Sequence, residues 1–378
     1  MRDDDRLDEA RAMAITDVVA RLDIAGLQPS GGELVGPCPV CGGTDRFGVN
    51  PVTNVFLCRK ACTAHAGGDQ VALVRHVLGK TFPEALDWLC GPRAELTPAE
   101  RAARDRKLAD AKRRQDEIAA RKRADAIDQA RRLWHAARPA EGTPVRDYLA
   151  RRGIPPHLFA ALPRCLRYLP DCRFTVAVKG QPGKFRTIHS GPAMIAAIQD
   201  PDTGSASAVH RTWIDLSRPS GKALIVDPLG EYTDLPAKKV LGSKKGGAIA
   251  LRTPRGATTL VMGEGIETTL SALIAEDPPM RAAFWAGVDL GNMAGRRQRG
   301  EGLKFAGLPD MADDEAFVPP AWVRHLVFIQ DGDSDPRLTR AQLEAGLRRA
   351  MALRPGLTGA IVHAGAGRDL NDVLRGQS

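Results

Sequence analysis

The chain has 378 residues, 43 % of them hydrophobic, which is too long for one ordinary core, so two to four separately packed units are expected. No run of about 18 apolar residues occurs, which argues against a transmembrane helix, and the opening MRDDDRLDEARAMA is polar where a secretory leader needs an apolar stretch, so a cytoplasmic protein with no membrane partner is expected. A formal net charge of +9 raises the expectation of a polyanionic partner.

Residues 1–95 form the first region. It holds four of the seven cysteines, as Cys38-Pro39-Val40-Cys41, then 16 residues, then Cys58-Arg59-Lys60-Ala61-Cys62. A C-x2-C pair on a tight turn chelates one ion, and a second pair after about 15–20 residues closes a tetrahedral zinc site. The segment between, DRFGVNPVTNVFLC, reads as a hairpin joining the two halves. The second half is C-x3-C, and His65 competes with Cys62 for the fourth position. With four ligands filled, the ion is structural. The region closes on an apolar-periodic stretch from Asp69 to Leu89.

Residues 96–134 predict a long solvated helix. Thr97 suits the N-cap, Pro98 the first helical position and Glu100 position N3, which together make a capping box. Arg101–Arg132 carries 12 basic and 6 acidic residues, and the mixed signs suit a spacer more than a DNA-binding face. Residues 135–255 mix short apolar runs with glycine and proline. AMIAAI (193–198), ASAVHRTWIDL (206–216) and AIAL (248–251) read as strands of a mixed α+β lobe. Its basic residues include Arg211, Lys238 and Lys239.

Residues 256–378 alternate strand and helix. TTLVMG leads into a helix from Glu267, AAFWAG and HLVFIQ are strands, TRAQLEAGLRRAMAL is a helix and GAIVHA a last strand. Such alternation predicts a parallel sheet flanked by helices. Acidic residues follow three of these elements: Glu264 between two glycines, Asp331 and Asp333 in Gln330-Asp331-Gly332-Asp333, and Asp369 in Gly367-Arg368-Asp369-Leu370-Asn371-Asp372. Ligands of open parallel sheets gather at the carboxyl ends of strands, and carboxylates there suit Mg²⁺ or Mn²⁺. Gly79-Lys80-Thr81 is no phosphate loop, because Val74 stands where its first glycine is required.

The cysteine cluster, continued by Ala66-Gly67-Gly68-Asp69-Gln70-Val71 and by Thr81-Phe82-Pro83-Glu84-Ala85-Leu86, resembles the zinc-binding domain of primases of phages and mobile elements. The series strand–Glu264, strand–Asp331-Gly332-Asp333 and Arg368-Asp369-Leu370-Asn371-Asp372 resembles the Toprim domain of primases, topoisomerases and some nucleases. The resemblance implies a multidomain α/β and α+β chain: zinc ribbon, helical linker, basic lobe and C-terminal Toprim domain. It implies primer synthesis from NTPs on a single-stranded DNA template, with structural Zn²⁺ on Cys38, Cys41, Cys58 and Cys62. Glu264, Asp331 and Asp333 would be catalytic and, with Asp369, would hold catalytic Mg²⁺ or Mn²⁺. Arg211 and Lys238 or Lys239 of the basic lobe would be candidate contacts to template and NTP phosphates, and a separate replicative helicase would be a further partner. Two departures stand out: Thr268 occupies the place of a second acid, with Glu267 one position early, and Asn371 stands where an acid is often found. A Toprim-type nuclease and a non-catalytic DNA-binding accessory protein are the alternative readings.

Overall fold

A computed structural model of the chain describes residues 6–30, 32–92, 98–155, 161–179, 181, 183–275, 281–298, 300, 302–330 and 335–363. It divides into two compact units, one of residues 1–122 with 174–188 and one of 123–173 with 189–378. No helix among the described residues is long and apolar enough to cross a membrane.

The first unit opens with helices α1 (Arg6–Ala12) and α2 (Ile15–Arg21), which the sequence reading did not assign. An antiparallel sheet follows, made of β1 (Gln28–Ser30), β2 (Glu33–Cys38), β3 (Gly42–Asn50), β4 (Val55–Cys58) and β5 (Gly67–Gly68) in that spatial order. The predicted hairpin is β3 and β4, with Phe47 opposite Cys58 and Asn50 opposite Val55. Helices α3 (Gln70–Leu78) and α4 (Phe82–Cys90) make up the apolar-periodic stretch. Asp69 caps α3 by accepting the Ala72 N–H at 3.1 Å, and Gly79 ends it in the left-handed conformation at φ 65°. At α4, Glu84 accepts from both the backbone N–H and the hydroxyl of Thr81. Ile15, Val18, Phe47, Val49, Phe56, Leu73, Val74 and Leu86 are the buried core, each contributing about 1.5–3 kcal/mol by leaving water.

Helix α5 (Pro98–Ala136) is the predicted charged helix. Thr97, its predicted cap, lies outside the described residues. Its exposed ion pairs, such as Arg113 with Asp110 at 3.0 Å, are worth only a few tenths of a kcal/mol each.

In the second sheet, β6 (Arg138–Pro139), β7 (Leu166–Ala177), β8 (Phe185–Gln199), β9 (Ala206–Trp213) and β10 (Lys238–Gly242) lie in the order β10-β9-β8-β7-β6. Between β6 and β7 runs α6 (Pro144–Arg151), whose Tyr148 and Leu149 are buried. The third sheet has the order β11-β13-β12-β14-β15, from β11 (Ile249–Arg252), β12 (Thr259–Gly263), β13 (Ala282–Ala286), β14 (His325–Gln330) and β15 (Thr358–His363). Its last four strands are parallel, as the β-α-β alternation predicts, while β11 joins the edge antiparallel to β13. The AIAL run, read as part of the basic lobe, therefore pairs with the C-terminal sheet. Helices α7 (Ile266–Ala275), α8 (Leu290–Ala294) and α9 (Pro336–Leu353) complete this part.

Candidate metal centres

Each half of the cysteine cluster sits where a strand ends in a turn. Cys38 is the last residue of β2 and Cys41 precedes β3, so the turn between them brings both thiols to one side. Cys58 ends β4, and the turn to Cys62 passes through Ala61, held at φ 49° with its N–H on the Cys58 carbonyl at 2.9 Å. The four sulfurs all lie within 4.8 Å of one another. Individual separations are 3.8 Å for Cys38–Cys62, 3.8 Å for Cys41–Cys58 and 3.6 Å for Cys58–Cys62. A tetrahedron of sulfurs with Zn–S bonds of about 2.3 Å has edges of about 3.8 Å, so the donor set fits zinc.

The acid–base chemistry of the set agrees. Burial pushes the Cys38 thiol up, and desolvation with the neighbouring sulfurs pushes Cys62 up to about 12. At Cys58 burial acts the same way, but hydrogen bonds, first those from the N–H groups of Cys62 and Lys60, bring it down to about 7. Four crowded sulfurs do not all ionise on their own; a divalent cation supplies the charge that lets them.

His65 is outside this set, and its backbone N–H donates to Thr63 Oγ1 at 3.2 Å. A different histidine reaches the cluster. His76, 2 % exposed on α3, places Nε2 3.4 Å from Cys38 Sγ. Burial, and the charge of His65, lower its pKa. Its position on the buried face of a helix with Leu73 was the signal available in the sequence, since a histidine on an apolar face needs partners for both ring nitrogens.

Glu264, the described member of the candidate acidic site, follows a strand of the third sheet. The chain leaves β12 for β13 on one side and then places β14 on the other, so the carboxyl end of β12 lies at the point where strand order reverses. Crevices at such points are where open sheets bind ligands. Glu264 is the first residue past β12 and is half-buried. Gly263 before it must be small, because a Cβ there would lie 2.8 Å from Thr269 Oγ1. Strand β14 ends at Gln330; Asp331, Asp333 and Asp369 lie outside the described residues. Asp335 caps α9, accepting from the N–H groups of Arg337 and Leu338 at 3.0 and 3.2 Å.

Glu267 has another task. It is 4 % exposed, accepts the Tyr148 hydroxyl at 2.5 Å and pairs with Lys238 Nζ at 3.0 Å. Burial opposes its charge, but the Lys238 and Lys222 ammoniums and the Tyr148 hydroxyl hold its carboxyl well below the usual carboxylate range. Thus Lys238, a candidate phosphate contact, is engaged by a carboxylate, and α7 is tied to α6 and β10. Arg211 is 6 % exposed, with its guanidinium 5.1 Å from the centre of the Trp213 ring and Nη1 3.4 Å from the Arg173 carbonyl. Lys239 is half-buried beside it; burial and the Arg211 charge lower its pKa. On the neighbouring position of β9, burial with the Lys238 charge drives His210 down to about 4. Tyr148 and the pairing of Glu267 leave no local sign in the sequence, because their partners come from distant strands and helices, and the low pKa of His210 comes from burial that its own strand does not announce.

Residues 124–251 match the family model of a domain of unknown function (DUF7146). No curated protein matches the chain. Among solved structures, the chain is similar to the Aquifex aeolicus primase (zinc binding and RNA polymerase domains), at 15 % identity and TM-score 0.36, covering 99 % of this chain and 83 % of that one. It is also similar to a DNA primase domain from Pseudomonas aeruginosa, at 15 % identity and TM-score 0.39, covering 67 % and 75 %. A third similarity is to the primase fragment of the bacteriophage T7 primase-helicase protein, at 13 % identity and TM-score 0.27, covering 50 % and 60 %.

Proposed function

We propose that this chain is a DNA primase of the phage or plasmid type, a nucleotidyltransferase that makes short RNA primers from NTPs on single-stranded DNA. The observation that carries the reading is Glu264 at the carboxyl end of β12, where strand order reverses, in a chain that also holds four sulfurs at zinc spacing. In this reading residues 256–378 are a Toprim domain. Glu264, Asp331, Asp333 and Asp369 would hold Mg²⁺ or Mn²⁺, a group that would supply phosphate polarisation and charge neutralisation for the departing pyrophosphate. Arg211, Lys238 and Lys239 would contact template and NTP phosphates, with the Glu267 carboxylate holding Lys238 in place and offsetting part of its charge. The Cys38, Cys41, Cys58 and Cys62 zinc site stiffens a module that grips the single strand through phosphate and base contacts. A separate helicase would deliver that strand.

The test is incorporation of labelled NTPs on single-stranded DNA by the full chain. Mg²⁺-dependent product that disappears in Glu264→Gln supports the reading. Strand cutting without synthesis would replace it with a Toprim-type nuclease, and DNA binding without either reaction with an accessory protein.

A further inference from the structure

His76 is a polar ring in an apolar place. It is 2 % exposed, nearly parallel to Phe47 at 12° with centroids 6.1 Å apart, and packed against Phe56 at 5.3 Å. A ring buried there is tolerated only if both nitrogens are satisfied, and both are. Nε2 lies 3.4 Å from Cys38 Sγ and Nδ1 lies 2.6 Å from Thr63 Oγ1.

The chemistry at the sulfur selects the tautomer. Thr63 Oγ1 accepts the His65 N–H at 3.2 Å and keeps its own proton free to donate to His76 Nδ1. With Nδ1 accepting, Nε2 carries the ring proton towards Cys38. A metal-bound cysteine is a thiolate, able only to accept, so this tautomer matches the loaded site and the opposite one would set a lone pair against sulfur charge.

We propose that His76 is a positioning residue of the zinc site, donating its Nε2–H to the Cys38 thiolate while Thr63 holds the ring in that tautomer. The inference rests on the zinc reading of the four cysteines. It gives α3 a direct hold on the first cysteine pair through Cys38 and on the segment after Cys62 through Thr63. An N–H donated to a thiolate draws density from sulfur, so Cys38 becomes a poorer nucleophile and a better-oriented ligand.

The test uses the full chain as wild type, His76→Phe and Thr63→Val. The phenylalanine keeps the aromatic packing and removes the donor; the valine keeps the imidazole and removes only the hydroxyl. Zinc affinity is read by competition with a chromophoric chelator, cysteine reactivity by mass-spectrometric mapping of alkylation, and ligand identity by Co²⁺ absorption. The expected result is a four-sulfur Co²⁺ spectrum in all three proteins. Zinc affinity should fall by about 10- to 100-fold in His76→Phe, less in Thr63→Val, with Cys38 alkylated earlier in both. Unchanged affinity and alkylation order would overturn the proposal. So would a wild-type spectrum of three sulfurs and one nitrogen that His76→Phe abolishes, because His76 would then be a ligand. Should His76→Phe not fold, Thr63→Val alone decides between the outcomes. A wild-type chain that takes up no zinc would instead sink the zinc reading, a distinct result.

Discussion

His210 gives the second unit a pH dependence that can be measured. Burial, reinforced by the Lys238 charge, holds the folded-state pKa near 4 instead of 6.5. The folded ring is therefore neutral where the unfolded one takes up a proton. As pH falls through 6.5 the unfolded chain gains a proton that the folded chain refuses, and the loss of stability continues until about pH 4. Roughly 2.5 pH units at about 1.4 kcal/mol each come to on the order of 3 kcal/mol. The perturbation is His210→Asn, neutral at every pH and able to keep a polar group near Thr212 Oγ1, which lies 3.4 Å from His210 Nδ1. Urea unfolding followed by tryptophan fluorescence reports on this unit, since Trp213 and Trp285 are buried within it. The wild-type stability minus that of the variant should hold constant above pH 7 and drop by about 3 kcal/mol on reaching pH 4. A difference that stays flat across that window would refute the assignment of a neutral buried imidazole.

Other substitutions probe the remaining contacts. Glu267→Ala removes the carboxylate that pairs with Lys238 and accepts the Tyr148 hydroxyl, and should cost about 3–5 kcal/mol, with Lys238→Met recovering part of it in the double variant. Because the folded carboxyl is depressed, its contribution is present above the ordinary carboxylate pKa and lost only as pH falls below about 4.3 towards the folded value; urea midpoints at pH 7 and pH 4 check both statements. Removing zinc with a chelator, or Cys41→Ser, should abolish amide-exchange protection in β2, β3 and β4 while leaving the third sheet protected. Gly346→Ala puts a Cβ 2.7 Å from the Ala294 Cα, where α9 meets α8, and should lower thermal stability by about 1–3 kcal/mol.

Features that depend on local spacing were legible in the sequence. The cysteine pairs, their hairpin and the β-α-β alternation each follow from short-range rules, and the corresponding strands and helices occur at those positions. What escaped depends on which strand becomes whose neighbour. The pairing of Ile249–Arg252 with β13 has no local signature. Likewise, nothing near Glu267 in the chain announces Tyr148, 119 residues away, or Lys238, 29 residues away. His76 was passed over in favour of His65 because proximity in sequence stood in for proximity in space. Helix α3 folds back over the hairpin and reverses that ranking.

The two glutamates beside β12 show how one helix start divides roles. Successive residues of a helix turn by about 100°, so when Glu267 faces β10, Thr268 faces elsewhere. Its position is visible from Gly263, whose added Cβ would lie 3.3 Å from Thr268 Cγ2. Thr268 therefore lies over the end of β12, next to Glu264, and it is 5 % exposed. An acid at position 268 would share the crevice with Glu264, whereas the acid at 267 is spent on Lys238 and Tyr148. Thr268→Glu should accordingly cost on the order of 3 kcal/mol without divalent cations, the penalty of burying an unpaired carboxylate. If the crevice binds Mg²⁺, that deficit is offset by ligand linkage, and the melting temperature of Thr268→Glu should climb with Mg²⁺ more steeply than that of the wild type. Glu267→Ala, whose lost partners are Lys238 and Tyr148, should show no such climb. A melting temperature that does not respond to Mg²⁺ in the wild type or in either variant would mean that no cation binds beside Glu264, and the catalytic reading of that residue would fall with it.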